Sequence, residues 1–101
     1  MNMFCKLQEK YGEDFNWFEP TNEAAFEAQL KKELIPSHRL FGIALKAVGK
    51  NSRNDDVLFR DEIDFYIIHL TWTTGTKDYP KYKKIYAGDI YYALEQDYLY
   101  G

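Results

Sequence analysis

The chain has 101 residues and a net charge of -3, is 46% hydrophobic and 29% charged, and holds one cysteine, Cys5. That is the size of one small domain, which buries roughly two thirds of its unfolded surface and needs no staples. A lone cysteine excludes an internal disulfide and a multi-cysteine zinc site, and the acidic balance removes any global drive towards nucleic acid or anionic membrane.

No window approaches the roughly 20 apolar residues of a membrane span. Met1 to Lys6 lack the long apolar run of a signal peptide. The expectation is a cytoplasmic protein of one domain, residues 1–101, with no membrane contact. The compositional outlier is aromatic content, at 18%, with nine Tyr and seven Phe.

In chain order, Phe4, Leu7 and Tyr11 lie at helical spacing, and Gly12 stops a short helix. Phe15, Trp17 and Phe18 are too dense for a free tail, so residues 1–20 are expected to form an arm packed on the domain. Thr21 or Asn22 caps a helix carrying acids at its start and Lys31 and Lys32 at its end. Phe26, Leu30 and Leu34 form its stripe, and Pro36 ends it.

Alternation then predicts a strand from Phe41 to Val48, a turn-rich loop to Asp56, a short strand Val57-Leu58-Phe59, and a long strand from Phe65 to Trp72. Within Tyr79 to Tyr86 a fourth strand would lie at an edge, where Pro80 is tolerated. Asp89 caps a last helix with Ile90, Tyr91, Leu94 and Tyr98 as its buried stripe.

The connections between strands are too short for parallel crossovers. The fold class is therefore α+β: an antiparallel meander of three to four strands, flanked by an N-terminal-side helix and a C-terminal helix. Helices on one face of the sheet would bury these stripes. What the other face, with Phe65, Ile67, His69 and Thr71, meets is then the question.

Chemistry is sparse. His38 and His69 are the two histidines, and their spacing matches no metal motif. In mid-strand, His69 reads as structural. Asp55, Asp56, Asp61, Glu62 and Asp64 lack the spacing and glycine of a calcium loop and read as two solvated turns. Lys77, Lys81, Lys83 and Lys84 interleave with Tyr79 and Tyr82, as at a single-strand nucleic-acid site, but lysines also guard an edge strand. In an acidic chain the second reading prevails. Neither Cys5 nor Ser37 belongs to a nucleophile motif.

No catalytic residue, metal ligand or cofactor is therefore assigned. The surplus aromatics point to an interface. The binding candidates are His69, Trp72, His38, Phe65, Tyr79 and Tyr82.

Three segments, His38-x-Leu40-Phe41-Gly42, Asn54-Asp55-Asp56-Val57-Leu58-Phe59 and His69-Leu70-Thr71-Trp72, resemble a family of small bacterial single-domain proteins. These are similar to immunity proteins encoded near toxins. The resemblance covers about residues 34–86, and the family carries no established catalytic residues to transfer. It implies a non-enzymatic protein-binding module whose partner is a basic toxin. Separately, the C-terminal tyrosines could bind a second copy of the chain. The alternative is a small ligand-binding or hydrolytic domain using His38 and His69.

Overall fold

Each strand pairs with its neighbour in sequence, and the sheet follows that order throughout. The structure, a computed structural model, describes residues 3–101. It runs α1 (Cys5–Tyr11), β1 (Trp17–Phe18), α2 (Glu23–Glu33), β2 (Lys46–Asn51), β3 (Asp56–Arg60), β4 (Phe65–His69), β5 (Tyr82–Ile85) and α3 (Ile90–Tyr100). Single 3-10 turns follow α1 and precede α3. The sheet order is β1-β2-β3-β4-β5, antiparallel at every step. Short turns join β2 to β3 and β3 to β4, while α2 lies between β1 and β2 and a longer loop joins β4 to β5.

The α+β antiparallel expectation holds, with five strands instead of three to four. The additional strand is β1, where Trp17 and Phe18 pair with Asn51 and Lys50. A two-residue strand is too short to show alternation.

The helices cover both faces of the sheet, which corrects the one-face expectation. Beneath α2, Phe26, Leu30 and Leu40 pack with Val57, Phe59, Tyr66, Ile68 and Leu70. On the other face α1 and α3 bring Phe4, Leu7, Ile90 and Leu94 against Leu58 and Trp17, with Phe65 and Ile67 at the margin. The reason lies in the central strands. Val57, Leu58 and Phe59 are all fully buried, so β3 is apolar on both sides and requires cover on both.

Other details differ, among them the end of β2, which runs to Asn51 instead of Val48. The segment from Phe41 to Ile43 is a turn, not a strand. Phe41 and Ile43 donate their N–H groups to the carbonyls of His38 and Leu40, and Gly42 has φ 84°. These local bonds take the groups that a ladder would need. β4 stops at His69 instead of Trp72, because other partners take the N–H groups that follow. In α3, Tyr91 is 49% exposed, while Ile90 and Leu94 are buried. Residue 91 lies about 100° round the helix from Ile90.

In β2 the register slips between Ala47 and Gly49. Gly49 then lies against the Phe4 ring so closely that a β-carbon would collide with it. A glycine is what lets α1 approach the sheet here.

Candidate functional site

Five of the six binding candidates flank the β4–β5 edge and the loop that joins these strands. His38 is 5% exposed. Its Nδ1 accepts the Leu40 N–H at 3.0 Å, so Nε2 carries the proton and donates it to the Pro80 carbonyl at 2.9 Å. Both ring nitrogens are thereby occupied by backbone. The Tyr82 ring lies 5.8 Å from His38 and 6.4 Å from Tyr66. A hollow of about 370 Å³ opens here, lined by His38, Arg39, Lys77, Asp78, Pro80, Lys81 and Tyr82.

His69 does not share that hollow. It stands opposite Asp56 in the β3–β4 ladder, and its Nδ1 meets the Asp56 carboxylate at 2.8 Å. Tyr79 is half exposed with Lys81 Nζ 4.8 Å from its ring centre. Phe65 sits at the far end of β4, against the second core, with Arg60 over its ring at 5.7 Å. The six residues therefore do not converge on one point. Among the described residues, no three His, Cys, Asp or Glu side chains gather into a metal-holding set.

Trp72 is placed by a residue that the sequence analysis passed over. Glu33 is fully buried in the last turn of α2. Its Oε1 accepts the Thr71 N–H at 2.8 Å and the Thr71 hydroxyl at 2.7 Å. Its Oε2 accepts the Trp72 N–H at 3.0 Å and the Gln29 amide at 2.8 Å. Trp72 has φ 61°, an uncommon conformation for a bulky residue, and is 49% exposed with its ring 6.3 Å from Phe26. Four donors on one carboxylate hold that turn in place. Gly75 crosses so close to the Glu33 carbonyl that no side chain fits between them.

Asp97 does the same for α3. Its Oδ2 accepts the Asn16 amide and the Trp17 indole N–H, each at 2.9 Å. Both donors are buried, which ties the end of α3 to β1. A signal for both carboxylates existed. Phe26, Leu30, Glu33 and Leu34 repeat the spacing of Ile90, Leu94, Asp97 and Tyr98, so each acid falls on the apolar stripe.

A larger hollow lies elsewhere. About 800 Å³ in volume, it runs between the start of α2, the first half of β2 and the end of β3. It presents Glu23, Glu27, Asp61 and Glu62 against Lys46 and Arg60. A smaller hollow of about 260 Å³ adjoins it and adds Glu19. Glu27 accepts the Ala47 N–H at 3.0 Å, on a part of β2 that β1 does not reach. Glu19, Glu23 and Glu62 make no ion pair with any described residue.

Asp61 is ionised across the ordinary range. The N–H groups of Asp64 and Ile63, then the Tyr66 hydroxyl, hold its carboxyl down at about 2. Burial, and then the bond to Asp61, push Tyr66 up to about 12.

Comparison with protein families, curated proteins and solved structures returns no significant match. No helix among the described residues is long and apolar enough to cross a membrane.

Proposed function

We propose that this chain is a protein-binding module without catalytic activity, and that its acidic groove receives a basic protein. Within that class the resemblance over residues 34–86 favours an immunity-type role, in which the bound protein is a toxin neutralised in the bacterial cytoplasm. The observation that carries this is the groove itself. Four carboxylates line its main hollow with two cations, and Glu23 and Glu62 have no ionic partner among the described residues. Unpaired acids on rigid elements steer a basic partner and fix its register. The alternative, a hydrolytic or small-ligand site using His38 and His69, draws little support. His38 spends both nitrogens on backbone, and His69 stands outside its hollow.

The test is capture from an extract of the host cell on the immobilised chain. A basic protein should be retained in stoichiometric amount at low salt and released as salt rises above about 0.5 M, because exposed charges are then screened within a few ångströms. It should be toxic when expressed alone and harmless beside this chain. Retention of no protein, or of an acidic one that salt does not release, would count against the proposal.

A further inference from the structure

We propose a second binding surface: the free edge of β5 takes an acidic, extended peptide segment of another protein as a sixth strand. It is independent of the acidic groove and opposite to it in sign.

β5 pairs on one side only, with β4, and ends the sheet. His69 donates its N–H to the Lys81 carbonyl at 3.0 Å. Inward and outward groups alternate in an antiparallel ladder, so Lys81, Lys83 and Ile85 face β4. The N–H and C=O groups of Tyr82 and Lys84 therefore point outwards, with no backbone partner among the described residues. Two outward residues offer four backbone hydrogen bonds, the register of a short added strand.

Charge selects the occupant. Lys77, Lys81 and Lys83 border this edge and, with Arg39, have no carboxylate within ion-pair reach among the described residues. Lys84 meets Asp64 only at 3.7 Å. Arg39, Lys77 and Lys81 also line the 370 Å³ hollow at the start of the strand, with Asp78 as its one carboxylate. An acidic side chain of the added strand would enter there, and Tyr79, Tyr82 and Tyr86 supply apolar contact beside it. Lysines do guard edges against self-pairing. That repulsion is directed at another basic edge, and the same charges attract an acidic one. A peptide is favoured over single-stranded nucleic acid because the free backbone groups match a strand, not a phosphate chain.

The probe is an end-blocked hexapeptide of alternating Glu and Val, titrated into the full chain and followed by amide chemical shifts. The amides of Tyr82 and Lys84 should move saturably and gain protection from exchange. The same peptide N-methylated at every residue should not bind, since neither of its edges can then complete the ladder. Lys81→Glu with Lys83→Glu, both on the surface and checked for folding by circular dichroism, should weaken binding about tenfold. The proposal is overturned by absence of saturable shifts at about 1 mM peptide. It is equally overturned by undiminished binding of the methylated peptide, or by an oligothymidylate that shifts these residues at lower concentration than the peptide does.

Discussion

Asp61 shows how one residue can set a turn and its pH response. Its carboxylate closes the β3–β4 hairpin by accepting two backbone N–H groups and the Tyr66 hydroxyl. Its pKa falls from 3.8 to about 2 on folding, so its contribution is complete above about pH 4 and is lost as pH falls towards 2. Denaturant unfolding at a series of pH values should show a shallower loss between pH 4 and 2 for Asp61→Ala than for the parent chain. Tyr66 acts at the other extreme. Its pKa rises from 10.0 to about 12, so its contribution fades as pH rises through that interval. Glu33 is the costlier residue to change. In Glu33→Gln an amide replaces an oxygen that accepts two donors, leaving buried N–H groups facing N–H. Urea unfolding should record a loss of about 2–4 kcal/mol. Asp61 was legible as a turn residue but not as solvated, since its carboxylate is taken up by the hairpin, and Asp56 belongs to β3 and pairs with His69; Glu33 was not singled out. A carboxylate on an apolar stripe looks like a helix-surface residue until the loop that buries it is in place.

At the level of elements, α2 and α3 use the same device. Each has 11 residues, and each is fastened through an acid in its last turn, Glu33 to the loop after β4 and Asp97 to β1. Acids near a helix C-terminus oppose the helix dipole, so the bonds they accept must outweigh that. Asp97→Ala should free the indole N–H of the fully buried Trp17 and cost about 2–4 kcal/mol, seen as earlier thermal unfolding and a red-shifted tryptophan emission. Gly49→Ala should cost about 1–3 kcal/mol by the same unfolding measurement, since the added carbon displaces the Phe4 ring from its buried seat. The central strands were legible because β-branched and aromatic residues cluster at Val57–Phe59 and Phe65–Ile68. Their apolar residues lie on both sides and need two covering layers, which the one-face expectation missed. The Phe41–Ile43 turn was not legible, because alternation there is the same whether the backbone pairs or curls.

Over the whole molecule, a net charge of -3 conceals a separation of charge. Carboxylates gather at the α2–β2–β3 groove, and lysines gather along β5. Sequence order hides this, because the pair Glu23 and Glu27 is far in the chain from the pair Asp61 and Glu62, and the two meet only through the sheet. The C-terminal tyrosines make a third surface. Tyr91, Tyr92, Leu99 and Tyr100 are exposed on α3, and self-association through them would show as a rise in sedimentation coefficient with concentration. The groove is the surface on which the function proposed here depends. The most direct measurement is therefore the affinity of the captured basic protein for the parent chain and for Glu23→Lys with Glu62→Lys, by calorimetry in the same buffer. Reversal of these two charges should weaken binding at least about tenfold and remove most of its salt dependence. Equal affinity for the two chains, with the fold of the variant intact, would contradict the assignment of the groove as the binding site.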